Sequence, residues 1–178
     1  MTRRIGWASL ALFLASVPFA NWLIQHVGTV CVPQGPCLLP VAPGLLAPSG
    51  VLAAGAALVL RDVVQRCLGA GWGLGAIVTG TLLSGLIAPP ALVLASGSAF
   101  LLSELADFAV YTPLQRRRLV LAVALSALAG LVVDSVVFLG LAFGSLEFLG
   151  GQIVGKAWAV LFSLPLIRLL RRVAPTPA

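Results

Sequence analysis

Six apolar stretches, each near the length of a bilayer-spanning helix, are joined by connections whose basic content alternates. The stretches cover residues 5–24, 43–60, 68–83, 87–110, 119–141 and 152–170. A spanning helix needs about 20 predominantly apolar residues, with about 17 as the lower end. The third stretch is short and carries Gly69, Gly71, Gly73, Gly75 and Gly80, the composition of a small-residue helix packed inside a bundle. Arg3 and Arg4 precede the first stretch, and Arg61 and Arg66 lie between the second and third. Arg116, Arg117 and Arg118 lie between the fourth and fifth, and Arg168, Arg171 and Arg172 close the sixth. The connections at 26–42, 84–86 and 142–151 contain neither Lys nor Arg. Ten of the eleven basic residues therefore fall on one side of a six-span arrangement, the exception being Lys156 within the last span. The positive-inside rule puts that side, with both termini, in the cytoplasm.

Composition agrees with this reading. Of 178 residues, 60% are apolar and 9% charged, more apolar surface than a soluble domain needs. The expected fold is an all-α integral membrane protein with six transmembrane helices, in a single domain over residues 1–178. A net charge of +6 would suit a nucleic-acid partner, but its confinement to one side of the bilayer indicates topology instead. The first stretch has an alternative reading as a secretory signal, with Arg3-Arg4 as its charged region and Ser16-Val17-Pro18-Phe19-Ala20 as a cleavage zone. Its removal would leave five spans. Cys31 and Cys37 share the long Pro/Gly-rich outer connection, where a disulfide, two free thiols or, with His26, a poor metal site are all open. No Walker motif is present, so an ATP-driven step would need a separate energising ATPase.

Three of the five acidic residues, Glu104, Asp107 and Asp134, lie inside these apolar stretches. A carboxylate there costs about 2.5–3.5 kcal/mol even on a lenient insertion scale, and usually faces a bundle interior or a water-filled cavity. A helix advances about 100° per residue, so Glu104, Asp107 and Tyr111 form one polar stripe, extended outward by Phe100 and Ser96. Gln152 and Lys156, four apart, share a face of the last span. At about 1.5 Å per residue, Asp134 (beside Ser135) and Lys156 both lie about 10 Å below the outer ends of their helices. They are placed to pair across antiparallel neighbours, as a register lock or as part of a ligand site. Asp107 either joins Glu104 or answers Arg116–Arg118 at the inner interface. Tyr111 either completes the stripe or belongs to the interfacial aromatic belt. Arg61 and Asp62 read as interfacial. Glu104 has no basic neighbour in sequence and is the acid best suited to touch a ligand.

Enzymatic chemistry fits poorly. The approach to Asp134, Gly130-Leu131-Val132-Val133, lacks the Gly-x-Gly-Asp pattern of intramembrane aspartyl proteases, and the sole histidine, His26, is too remote to activate a serine. Carboxylates, an amine, an amide and hydroxyls suit recognition of a small polar solute, with no cofactor or metal required. A structural membrane protein whose charges only lock helices is the contrasting possibility.

The same residues carry a resemblance. Ser103-Glu104-x-x-Asp107-x-x-x-Tyr111, Asp134-Ser135-x-x-Phe138 with Ala142-Phe143-Gly144, and Gln152-Ile153-x-x-Lys156 occur in that order. They are preceded by Arg61-Asp62 and Ser96-x-Ser98-Ala99-Phe100. Over about residues 48–165 the set resembles the VUT family of queuosine-precursor transporters. The resemblance implies a six-span protein of the bacterial inner (plasma) membrane, similar in fold to the substrate-binding subunits of energy-coupling-factor transporters. It implies uptake of 7-deazaguanines such as 7-cyano-7-deazaguanine, which supply queuosine in transfer RNA. One carboxylate can accept two adjacent N–H donors of a guanine-like ring; Gln152, Lys156 or Arg61 are placed to donate to its carbonyl and nitrile, and Phe100, Phe138 or Trp158 to stack on it. Another nucleobase or vitamin is the alternative cargo. Proton coupling through Glu104 or Asp134, facilitated diffusion with trapping, and docking to an ATPase are all compatible with the sequence.

Overall fold

A computed structural model describes residues 2–33, 35–88 and 90–173, without the side chains of Ala91 and of residues 169–173. Pro89, which the sequence groups with Pro90 at the start of the fourth span, and the tail 174–178 lie outside the described residues, as do the side chains of Arg171 and Arg172. Six helices form: α1 (Thr2–His26), α2 (Val51–Leu68), α3 (Ala70–Ile87), α4 (Val93–Leu114), α5 (Leu119–Phe143) and α6 (Leu149–Val173). Among the described residues five of them, all but α2, contain windows long and apolar enough to cross a membrane. The chain is thus a multi-pass helical membrane protein.

The helices close into a ring in the order α1, α2, α6, α5, α4, α3, and α2 also reaches across it to α3, α4 and α5. Touching all five partners, α2 is the helix best shielded from lipid. Its six consecutive residues Arg61, Asp62, Val63, Val64, Gln65 and Arg66 are all buried. That is why α2 tolerates charges that the outer helices could not carry. Gly55 lets α6 approach it, since a Cβ there would stand 2.7 Å from the Lys156 carbonyl oxygen.

Three sequence expectations need correction. The second span begins at Val51, not at 43, because residues 43–48 belong to a hairpin. Arg61 and Asp62 therefore lie within α2, about two turns from its end, instead of in an interfacial connection. The fold is also not purely α: Val30–Cys31 (β1), Cys37–Ala42 (β2) and Leu45–Pro48 (β3) form an antiparallel sheet in the order β1-β2-β3. Pro40, in the central strand β2, lies beyond the short pairing with β1 and beside an irregularity in the register with β3, and Gly44 takes the positive φ of 73° that the β2–β3 turn requires. Cys31 and Cys37 face each other across β1 and β2 and are joined by a disulfide, which leaves no thiolate there for a metal. Finally, the glycine-rich α3 is peripheral. It buries only Gly73, Ala76, Ile77, Gly80 and Ser84 and leaves Leu74, Val78, Leu82 and Leu86 exposed on the lipid side.

The sheet sits at one end of the bundle, anchored by Ser49 Oγ donating to the Leu23 carbonyl (2.7 Å) and Trp158 Nε1 to the Val41 carbonyl (3.0 Å). Arg3, Arg4, Arg116, Arg117, Arg118 and Arg168 are exposed at the other, hereafter the arginine end.

Candidate functional site

A cavity lies in the sheet half of the ring. Each helix supplies the portion nearest the sheet: Ser16 to Ile24 of α1, Gly50 to Leu58 at the start of α2, Ser84 of α3, Ser96 to Glu104 of α4, Asp134 and Phe138 of α5, and Gln152 and Lys156 of α6. It holds about 780 Å³ of atom-free space, its open mouth included. The wall is mostly apolar, with a few convergent polar groups. The α1 wall includes Ser16, Val17 and Ala20, the segment with a possible signal-cleavage reading, here mid-helix.

On one side Lys156, 1% exposed, is the hub of a polar set. Its Nζ donates to Asp134 Oδ2 (2.5 Å), Ser135 Oγ (2.8 Å) and Gln152 Oε1. An ammonium has three protons, so these acceptors use all of them. The Gln152 orientation is determined too, because only its carbonyl oxygen can accept from Lys156; its NH₂ points elsewhere. Among the described residues no protein group meets Asp134 Oδ1 or that NH₂, and the Asp134 side chain is 20% exposed. Lys156 thus holds an acid and an amide in place while giving the cavity no donor of its own.

Glu104 forms the floor, and beneath it lies a second buried charge set. Arg61, fully buried, donates from Nε to Glu104 Oε2 (3.2 Å), from Nη1 to Gln65 Oε1 (2.8 Å) and from Nη2 to Asp107 Oδ1. Nη2 is also 2.9 Å from Asp62 Oδ1. The Phe108 and Tyr111 rings flank the guanidinium, their centroids 5.6 and 5.5 Å from its carbon. Ser126 Oγ donates to Asp62 Oδ2 (3.1 Å). Gln65 Nε2 continues the polar line to Thr112 Oγ1 (3.0 Å), toward the arginine end.

Among the sequence candidates, Glu104, Phe100, Asp134, Gln152 and Lys156 border the cavity. Arg61, Asp107, Tyr111 and Ser135 lie behind that wall, all buried. Asp107 and Tyr111 are therefore not interfacial, and Asp107 answers Arg61 of α2 instead of Arg116–Arg118. The basic partner of Glu104 was invisible in sequence because it lies 43 positions away. Trp158 is exposed on the outside of the ring and bonded to the sheet, so it does not face the cavity. Asp62 and Gln65 complete the buried set; three further charged or amide residues within six positions of Arg61 (Asp62, Gln65 and Arg66) were the signal that α2 is sheltered.

A ring of helices around a cavity lined by an amide and two ion-paired acids defines a multi-pass membrane protein with a polar pocket between its helices. Residues 86–178, just over half the chain, match the family described as "putative vitamin uptake transporter", and the chain belongs to that family of membrane uptake transporters. The matched part includes Glu104, Asp107, Asp134, Gln152 and Lys156, whereas Arg61 and Asp62 precede it. No curated protein and no solved structure matches the chain.

Proposed function

We propose that this protein takes up a queuosine precursor, a 7-deazaguanine such as 7-cyano-7-deazaguanine, as a transporter and not an enzyme. The observation that carries the reading is the cavity in which Glu104 Oε1, Asp134 Oδ1 and the Gln152 NH₂ are left for a ligand between Phe100 and Phe138. A guanine-like edge offers adjacent N–H donors to one carboxylate, while its carbonyl or a nitrile takes the amide donor. Such bonds discriminate strongly, since an analogue lacking a donor strands a buried carboxylate. Both acids are already paired, Glu104 with Arg61 and Asp134 with Lys156, which favours an uncharged ligand over a cation. Lys156 and Ser135 position Asp134 and Gln152; Arg61, Asp107 and Tyr111 position Glu104.

The same proposal places one six-span domain, residues 1–178, in the bacterial inner membrane with both termini cytoplasmic and the sheet outside. That orientation follows from the exposed arginines at the opposite end and gives the disulfide an oxidising compartment. The fold would then be similar to energy-coupling-factor substrate-binding subunits. The family description favours a second reading, a vitamin as cargo on the same scaffold.

Uptake in a queuosine-auxotrophic cell lacking its own transporter tests the cargo. Supplied with 7-cyano-7-deazaguanine, cells carrying this protein should regain queuosine in transfer RNA; no recovery sinks the deazaguanine assignment.

A further inference from the structure

The set beneath Glu104 has an imbalance that ligand binding does not use. One guanidinium, Arg61, faces three carboxyl groups, Asp62, Glu104 and Asp107, every one of them buried. The carboxyl groups of Asp62 and Asp107 converge on the same guanidinium nitrogen, Arg61 Nη2. Two buried carboxyl groups that share one cationic nitrogen repel each other when both are ionised, which favours the state in which one of them carries a proton. Each acid also keeps one oxygen, Asp62 Oδ1 and Asp107 Oδ2, that no hydrogen bond among the described residues satisfies; the contact of Asp62 Oδ1 with Arg61 is close but misaligned.

The surroundings supply little else. On α2, Arg66 lies one turn beyond Asp62 and donates to the Gln115 carbonyl at the arginine end (3.0 Å). On α4 the facing groups are Glu104 and Tyr111, and α5 brings Ser126 and, toward Glu104, Asp134. Lys156 of α6 is engaged by Asp134, Ser135 and Gln152. The basic groups of α1 at this end, Arg3 and Arg4, are exposed, and α3 has no ionisable side chain. The cluster is continuous with the cavity through Glu104 and with the arginine end through Arg61, Gln65 and Thr112.

We infer that the Asp62–Asp107 pair is a proton site and that one proton travels with each solute, making uptake proton-coupled. A proton from cavity water forms an O–H bond on the pair by way of Glu104. After the protein turns to its inward-facing state, that bond breaks and the proton passes to water at the arginine end. The net change is one proton and one solute moved together, with no oxidant, reductant or nucleotide involved. The inference rests on the uptake reading of the same cavity.

Two measurements separate the two claims. Infrared spectroscopy of the purified protein at neutral pH, with no solute, should show a buried carboxylic-acid band that shifts on deuteration. The band should be lost in Asp62→Asn/Asp107→Asn but kept in Asp134→Asn; its absence from the wild type overturns the proton site while leaving transport standing. In proteoliposomes with radiolabelled 7-cyano-7-deazaguanine, an inward gradient of one pH unit should drive about a tenfold accumulation of this uncharged solute. Asp62→Asn should still exchange labelled for unlabelled solute yet accumulate nothing. Exchange with no response to the gradient overturns proton coupling alone. Absence of both exchange and accumulation overturns coupling together with the deazaguanine assignment.

Discussion

Replacing Arg61 tests whether the buried charge set holds the bundle together. Its guanidinium meets Glu104 at 3.2 Å, Gln65 at 2.8 Å and Asp62 at 2.9 Å, and also bonds Asp107, with no exposure of any of these charged groups beyond 2%. In Arg61→Met, side-chain volume is roughly kept while three acids on two helices lose the cation that bridges them. Removing one partner of a buried ion pair costs about 3–5 kcal/mol, because the remaining charge is stranded away from water. In a chain of this length about 2–4 °C of melting temperature accompanies each kcal/mol, so the midpoint in detergent should fall by roughly 6–20 °C. Arg61→Lys should also be damaging, since a single ammonium cannot reproduce the fork that reaches α4 and Gln65 together. The decisive comparison is Arg61→Met/Glu104→Gln/Asp107→Asn, where the two acids of α4 are neutralised and Asp62 alone keeps its carboxyl group. If the loss is electrostatic, that triple variant recovers much of the midpoint. An Arg61→Met protein melting within about 2 °C of wild type, or a triple variant no better than the single, would refute the reasoning.

Further outcomes follow from the same geometry. Glu104→Gln and Asp134→Asn should each abolish 7-cyano-7-deazaguanine uptake with membrane levels unchanged; normal uptake in both would remove the proposed site. Lys156→Met should destabilise by less than Arg61→Met, because Asp134 is partly exposed and water can compensate, and adding Asp134→Asn should recover most of the loss in a thermal melt. Gly55→Leu should force α6 away from α2 and lower both stability and uptake, given the 2.7 Å approach to the Lys156 carbonyl; a wild-type melt contradicts the close packing. The Cys31–Cys37 disulfide closes a short loop, so Cys31→Ser/Cys37→Ser should cost about 2 kcal/mol at most in a melt. A cysteine at Leu45 should react with an impermeant thiol reagent from outside intact cells and one at Arg117 should not; the reverse pattern inverts the topology.

The helices were legible where lipid does the reading. α1, α3, α5 and α6 were located to within about a turn, because a continuous apolar run has few other uses. The stripe through Glu104, Asp107 and Tyr111 was legible for a related reason: helical periodicity puts them on one face, and that face is buried. α2 was misplaced by eight positions, since residues 43–48 are as apolar as a span yet pair as a β-hairpin held by β1, a contact no local pattern encodes. Its charges read as interfacial because sequence does not reveal that five other helices surround them.

The sequence by itself determined that this chain lives in a membrane, where most of its helices run, and which acids lie in segments where lipid makes an unpaired charge costly. These are properties of single segments against a uniform solvent. Only the tertiary structure decided which charge answers which: Arg61 with Glu104 and Asp107, and Lys156 with Asp134, Ser135 and Gln152. Ion pairing depends on separations of a few ångströms between helices distant in the chain, and the ring order sets those separations. It is also what divides the polar residues between the cavity wall and the charge set beneath it.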